Sequence, residues 1–324
     1  MSSPEFSVPP AGVLISDGGL ATELEARGHD LSDDLWSARL LAEAPEEIVA
    51  VHEAFFRAGA HIATTASYQA SFEGFAAQGI DRVEAERLLH RSVELAKSAR
   101  AAASAPAWVA ASVGPYGAML AHGEEYVGRY GLSVPELAAW HRPRLEVLMA
   151  ADPDVLALET IPDSDEAEAL AGLVGEQDIP AWLSYTIAGD RTRAGQPLED
   201  AFAVAADVPQ IVAIGVNCCA PADVLGAVAT ARRVTGKPVI VYPNSGEVWD
   251  GANRVWVGTP GMDTGLAVEW VAAGARIVGG CCRVRPDDIA AMAAATAEWY
   301  GRPLGPITEG GEQALPDDGV EGLP

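Results

Sequence analysis

The positions of the four cysteines constrain this chain more than any other feature of its sequence. All four lie in two short stretches, 215–219 and 279–283, and each stretch follows an apolar run of strand length. Both patterns predict a buried strand that carries thiols at its carboxyl end. We predict that Cys218, Cys281 and Cys282 bind a zinc ion, because three convergent thiolates leave zinc one open coordination position. Such an open position is typical of zinc sites that do chemistry rather than support the fold.

Apolar runs of strand length recur eight times along the chain and alternate with helical patterns. The predicted strands cover residues 13–15, 61–65, 108–112, 155–158, 182–186, 211–216, 239–242 and 275–278. This alternation predicts an α/β fold, a single-domain (β/α)₈ TIM barrel spanning residues 11–306. Residues 1–10 are predicted to form a flexible N-terminal arm, and the acidic tail 307–324 is predicted to be disordered. Residues 118–132 and 247–257 are predicted to be loops.

Charge and composition exclude several classes of partner. The formal net charge is −25, and Lys97 and Lys237 are the only lysines. This excess of acidic over basic residues argues against nucleic acid or an anionic membrane as a partner, because both require a basic face. No segment resembles a signal peptide, and no apolar run reaches the roughly 18 residues that span a bilayer. We therefore predict a cytoplasmic protein, in which clustered cysteines indicate metal binding or catalysis rather than disulfides.

Polar residues follow most of the predicted strands. In (β/α)₈ barrels the chemistry takes place at the carboxyl ends of the strands. The residues found there include Asp17, Tyr68, Glu159 and Asn217. Glu159 ends an apolar strand, where an unpaired carboxylate is costly, so a substrate ammonium group is a candidate partner. Simpler roles stay open: Asp17 as a turn residue, Tyr68 and Trp36 as packing residues in loops.

Eight motifs together resemble the homocysteine S-methyltransferase family. The resemblance runs from about Gly12 to about Trp299 and rests on residues 17–24, 58–60, 65–71, 112–118, 159–162, 215–218, 242–247 and 280–283. It implies a zinc-dependent barrel that methylates L-homocysteine to methionine, with small molecules as its partners. Cys218, Cys281 and Cys282 match the family's three zinc ligands and are predicted to be catalytic. Cys219, where relatives often have another residue, is predicted to point elsewhere.

The resemblance also implies roles for residues around the metal. Tyr68 matches a tyrosine that occupies the fourth zinc position without substrate in betaine-using relatives. Asp17, Gly18 and Glu159 match residues that hold the amino acid end of homocysteine. Trp36 matches an aromatic residue near the methyl donor. Asn217, within the matched motif, is predicted to bind substrate.

The methyl donor is less strongly specified than the acceptor. The stretch Glu125–Tyr130 and the length of the chain look most like the branch that uses S-methylmethionine. S-adenosylmethionine is the next candidate and betaine an alternative. Nearby aromatic side chains could contact a sulfonium, and Glu124 or Glu125 could add a countercharge. A non-enzymatic zinc or thiol redox-sensing barrel and a phosphate-binding barrel stay open as other classes, as does the oligomeric state.

Overall fold

Eight parallel strands form one sheet that closes into a barrel. They are β1 (Leu14–Ile15), β2 (Ile62–Thr64), β3 (Trp108–Val113), β4 (Val155–Ile161), β5 (Ala181–Tyr185), β6 (Ile211–Asn217), β7 (Val239–Tyr242) and β8 (Ala275–Val278). The strands pair in the order β1-β8-β7-β6-β5-β4-β3-β2. A parallel bridge between Ser16 and Ile62 joins the two ends of this order. The predicted TIM barrel is therefore confirmed. The structure, a computed structural model, describes residues 5–31, 37–120, 123–250, 255–258 and 262–301.

Helices surround the barrel, and the main ones follow the predicted pattern. They are α1 (Leu20–Ala26), α2 (Ser37–Glu43), α3 (Pro45–Arg57), α4 (Phe72–Ala77), α5 (Arg82–Ala99), α6 (Tyr116–Leu120), α7 (Val134–Ala150), α8 (Ser164–Gly175), α9 (Leu198–Ala203), α10 (Val224–Thr235), α11 (Gly265–Ala273) and α12 (Pro286–Gly301). Their apolar faces pack on the outer side of the sheet and form the largest core cluster. None of the described helices is long and apolar enough to cross a membrane.

The two segments predicted to be loops contain short regular elements. Residues 247–257 include an antiparallel hairpin, Val248–Asp250 with Val255–Val257, in which Trp249 pairs with Trp256. Outside these two segments, a second hairpin pairs Ile187–Ala188 with Arg191–Thr192. Within 118–132, α6 is followed by a 3₁₀ turn, Glu124–Tyr126. Such elements are too short to give a periodic apolar pattern, so the sequence prediction of plain loops was wrong here.

Aromatic side chains fill the barrel from inside, from its amino end to the last residue of β7. Trp182 packs edge-on against Tyr242, with ring centroids 6.4 Å apart, and donates a hydrogen bond of 2.9 Å to its hydroxyl. Phe6 packs edge-on against Trp108, the first residue of β3, at 5.8 Å. Phe6 is only 6% exposed, so the described part of the predicted flexible arm contributes to the core.

Candidate metal and substrate site

Three cysteine sulfurs converge at the carboxyl end of the barrel. β7 pairs with both β6 and β8, so the cysteines that follow these two strands lie on either side of it. The Sγ atom of Cys218 lies 2.7 Å from that of Cys281 and 3.6 Å from that of Cys282. All three sulfurs lie within 4.8 Å of one another, a separation at which one metal ion can contact all three. Cys219 is fully buried in the outer core and is not part of this group.

The loop after β7 holds the backbone of all three cysteines. The amide of Cys281 donates to the carbonyl of Pro243 at 2.8 Å, and the amide of Cys282 donates to Oδ1 of Asn244 at 3.1 Å. The amide of Cys218 donates to the carbonyl of Tyr242 at 3.2 Å. These bonds fix the cysteines through their backbones and leave every sulfur free to bind a ligand.

Left-handed backbone conformations set the direction of two site side chains. Cys218 has a φ of 50°, and Thr160 has a φ of 59°. Thr160 lies in an irregularity of β4, where the register shifts between Leu158 and Ile161. An extra residue in a strand redirects the neighbouring side chains and is common beside active sites. Non-glycine residues in this region cost about 1 to 3 kcal/mol, so the surrounding contacts must hold them there.

Asn217 supplies those contacts. Its Oδ1 accepts hydrogen bonds from the amide of Thr160 at 2.7 Å and the hydroxyl of Ser184 at 2.8 Å. Its Nδ2 donates to Oγ1 of Thr160 at 2.7 Å. Thr186 in turn donates to the carbonyl of Cys218 at 3.1 Å. The Asn217 side chain thus links the bulge in β4 to the end of β6, directly before the first cysteine.

Two carboxylates are buried inside the mouth. Asp17 is 3% exposed and accepts hydrogen bonds from the amide and hydroxyl of Thr64, at 2.7 and 3.0 Å. Glu159 is 7% exposed and accepts a hydrogen bond from the hydroxyl of Ser112. Burial raises the pKa of each carboxyl to about 7, although these hydrogen bonds act to lower it. Neither carboxylate forms an ion pair with a described residue, so both lack the cation that such burial calls for.

Gly18 fits a space that no side chain could share. A Cβ at this position would lie 2.5 Å from the carbonyl oxygen of Val284 and 2.8 Å from the ring of Phe55. Close packing of β1 against the loop after β8 therefore requires glycine here. Its predicted contact with the amino acid end of the substrate stays a prediction.

Two tyrosines border the sulfur cluster. Tyr126 places its hydroxyl 3.5 Å from Sγ of Cys218, and its ring lies 5.7 Å from the guanidinium of Arg193. Tyr68 packs its ring against the backbone of Gly114. Burial, with the negative charges of Glu125 and Cys218, raises the pKa of Tyr68 above its usual range. Tyr126, within the stretch Glu125–Tyr130 that pointed to the methyl donor, thus contacts a cysteine sulfur.

The three thiols also affect one another's pKa. Hydrogen bonds from Cys218 and Cys281 hold the pKa of Cys282 well below its usual range. Hydrogen bonds to Cys218 and Cys282 raise the pKa of Cys281 well above its usual range. A bound cation would favour the thiolate form of these cysteines.

A buried polar cluster supports the start of α6, where Tyr116 lies. Glu166 on α8 accepts hydrogen bonds from the Tyr116 amide, at 2.5 Å, and from Nε2 of His141, at 2.8 Å. Arg144 on α7 contacts Nδ1 of His141 at 3.0 Å and donates to the carbonyl of Gly114. Sequence reasoning missed this cluster, because its three side chains come from two helices that only the fold brings together.

The loops after β7 and β8 are joined by an ion pair. Nε of Arg283 lies 3.1 Å from Oε2 of Glu247, which is almost fully buried. The amide of Arg283 donates to Oγ1 of Thr22 on α1 at 2.9 Å. These contacts tie the segment that carries Cys281 and Cys282 to elements on both sides. Trp36, the predicted donor contact, lies outside the described residues.

Comparisons with known proteins identify relatives of nearly the whole chain. The family model for homocysteine S-methyltransferase matches residues 14–296. A homocysteine S-methyltransferase of Escherichia coli (strain K12) is 47% identical over 293 residues, 87% of this chain and 94% of the relative. Homocysteine S-methyltransferase 4 of Zea mays is 46% identical, over 89% of this chain and 90% of the relative.

Solved structures agree with these sequence matches. The oxidized form of the homocysteine methyltransferase MmuM from Escherichia coli superposes with a TM-score of 0.80 at 45% identity, covering 88% of this chain and 97% of the other. Its metallated form gives a TM-score of 0.78 over the same shares.

Proposed function

The chain belongs to the homocysteine S-methyltransferase family, and we propose that it transfers a methyl group from S-methylmethionine to L-homocysteine with the help of a zinc ion. The single observation that carries this proposal is the convergence of three cysteine sulfurs at the end of the barrel that also holds two buried carboxylates, neither of which forms an ion pair with a described residue. The sulfurs suit a soft metal ion, and the carboxylates suit an amino acid substrate. The clustered free thiols also favour the reducing cytoplasm as the location.

The donor set fits zinc. Three thiolates at mutual sulfur distances within 4.8 Å can occupy three corners of a tetrahedron and leave the fourth free. Cys218, Cys281 and Cys282 would hold the ion. When bound, zinc would lower the pKa of a thiol in the fourth position, so that homocysteine is present as the nucleophilic thiolate at neutral pH. This assignment agrees with the metallated form described for the E. coli relative.

Asp17 and Glu159 would bind the ammonium group of homocysteine. Both are buried and both have a pKa raised to about 7, and the charge of Glu159 contributes to the raised pKa of Asp17. A substrate ammonium supplies the missing positive charge and returns both carboxyls to the ionised form. Because hydrogen bonds from Thr64 and Ser112 fix these carboxylates, they would orient the amino acid so that its thiol points toward the cysteine cluster.

The methyl transfer is a single displacement in which both bonds and charges balance. A lone pair on the homocysteine sulfur forms the new S–CH₃ bond, while the S–CH₃ bond of the sulfonium breaks and its electron pair stays on the donor sulfur. The thiolate and the sulfonium both become neutral thioethers, so two molecules of methionine form. Charge is lost on the way to products, and a site shielded from water favours such a reaction. Tyr68 and Tyr126 line the path between the two reacting sulfurs in this proposal.

The proposal is tested by metal analysis and by a donor comparison. We expect about one zinc ion per chain in protein purified under reducing conditions. Methionine formation from homocysteine is measured with S-methylmethionine, S-adenosylmethionine and betaine in turn. We expect S-methylmethionine to give the highest kcat/KM. Preference for betaine would refute the donor assignment, and metal-free wild-type protein with full activity would refute the zinc assignment.

Two cysteine variants provide a matched pair. Cys281→Ser removes one member of the cluster, and we expect it to lose both zinc and activity. Cys219→Ser changes a buried cysteine next to the cluster in sequence but outside it in space. We expect Cys219→Ser to keep its zinc and its activity. If both variants lose zinc and activity, a general effect of losing a buried thiol explains the result. If zinc binds and every donor fails in the wild type, the metal site is right and the assigned acceptor or donor is wrong.

A further inference from the structure

Glu125 is a buried carboxylate with an unpartnered oxygen at the mouth of the site. It lies on the 3₁₀ turn Glu124–Tyr126 and is only 3% exposed. Its Oε2 atom is shielded from solvent and accepts no hydrogen bond in the part of the chain that the structure describes. A buried carboxylate oxygen without a donor is unfavourable, so it marks a place where a ligand can supply the missing contact.

The surroundings of Glu125 favour a positive ligand. The next residue, Tyr126, places its hydroxyl 3.5 Å from Sγ of Cys218. The charge of Glu125 acts on Tyr68 and on Cys282, so the carboxylate lies near both. Burial, followed by the charges of Cys218 and Glu124, raises the pKa of Glu125 to about 7. Among the described residues, no arginine, lysine or histidine forms an ion pair with it, so a bound cation is a suitable partner.

We propose that Glu125 is the countercharge for the sulfonium of the methyl donor and sets the preference of the site for a cationic donor over a neutral thioether. This inference rests on the proposed function and assigns it a residue. Glu125 directly precedes Tyr126, whose hydroxyl contacts Cys218, and the donor sulfur must lie one methyl group from the sulfur that attacks it. The rings of Tyr68 and Tyr126 add aromatic faces, which attract the same cation.

The role of Glu125 has a specific kinetic signature. The sulfonium carries a full charge when bound, and this charge disappears as the S–CH₃ electron pair returns to the donor sulfur. A carboxylate beside it therefore stabilises the bound donor more than the transition state. Removal of the carboxylate should raise the KM of the donor without lowering kcat. A residue that only supports the fold would change the KM of both substrates together.

The test uses the zinc-loaded enzyme and the variant Glu125→Gln, which keeps the size of the side chain and removes its charge. We measure the KM of S-methylmethionine, the KM of homocysteine and inhibition by methionine, the uncharged thioether product. We expect the KM of S-methylmethionine to rise about tenfold or more, as for the loss of a charged partner. The KM of homocysteine and the inhibition constant of methionine should stay within about twofold of the wild type. Glu146→Gln removes the same charge from an exposed position on α7, and all three constants should stay unchanged.

The outcomes separate this inference from the proposed function. If the wild type uses S-methylmethionine and Glu125→Gln leaves its KM unchanged, the inference is wrong and the proposed function stands. An equal rise of all three constants would also refute it, because a distorted site and not a lost charge would be the cause. If the wild type forms no methionine from any sulfonium, the proposed function fails and the inference fails with it.

Discussion

Replacement of Asn217 by alanine would distinguish a structural role from the predicted contact with substrate. The side chain makes three hydrogen bonds, two of 2.7 Å to Thr160 and one of 2.8 Å from Ser184. Without it, the buried amide of Thr160 has no acceptor, and such a group costs about 1 to 3 kcal/mol. Ser184 loses less, because its hydroxyl also lies 2.6 Å from that of Tyr242. We therefore expect the free energy of unfolding to fall by about 2 to 3 kcal/mol.

This prediction is measured by urea unfolding, together with the KM of homocysteine for the folded variant. A loss of about 2 to 3 kcal/mol corresponds to a Tm lower by roughly 4 to 8 °C in a chain of this size. Ser184→Ala is the matched control, because it leaves the two bonds to Thr160 intact, and we expect it to cost less than about 1 kcal/mol. The reasoning is refuted if Asn217→Ala unfolds at the wild-type urea concentration while the KM of homocysteine rises strongly. That result would assign the Asn217 amide to the substrate.

Three further predictions concern other parts of the barrel. Glu159→Gln should stabilise the substrate-free protein above pH 7, because the buried carboxyl, with its pKa raised from 4.5 to about 7, resists ionisation. The gain in stability should grow between pH 4.5 and 7 and vanish below 4.5, where the carboxyl is neutral in both the folded and the unfolded state. Thermal unfolding at several pH values checks this prediction, and a gain that persists at pH 4 contradicts it. Phe6→Ala should lower the free energy of unfolding by about 2 to 4 kcal/mol in a denaturant titration, since the buried ring fills the amino end of the barrel. Its kcat should equal that of the wild type, because the site lies at the other end of the barrel. Gly215→Ala should yield little folded protein by circular dichroism, because its Cβ would lie 1.7 Å from the carbonyl oxygen of Ile240, and a wild-type melting curve would disprove this packing.

Much of the architecture could be predicted from the sequence because barrel strands are buried on both faces. Such strands form short apolar runs, and eight of them separated by helical patterns specify a TIM barrel. The two cysteine stretches follow such runs, so the rule that chemistry lies at the carboxyl ends of the strands predicts their convergence. The group formed by Cys218, Cys281 and Cys282 confirms that expectation. The separate placement of Cys219 agrees with its prediction as well.

The remaining features depend on contacts between residues distant in sequence. The bulge at Thr160 has no local signal, because its conformation is held by Asn217, 57 positions along the chain. Phe6 lies in a polar, proline-containing stretch that looks flexible until the aromatic rings of β3 and β5 are placed beside it. Burial of Glu125 likewise depends on how the loop after β3 folds over the mouth. A pattern along one segment cannot report such partners, since each arises only when the barrel closes.

The left-handed conformation of Cys218 has a consequence for how this protein can change over generations. A glycine would adopt that backbone without steric cost, so Cys218→Gly would relax the turn while removing the thiol. Backbone strain therefore does not oppose the loss of the thiol through Cys218→Gly, and descendants that lose it in this way would keep the barrel. Only selection for the chemistry keeps a cysteine there. Inactive descendants of this lineage should accordingly survive as well-folded barrels, and their loss of function would be invisible to any screen that measures stability or expression alone.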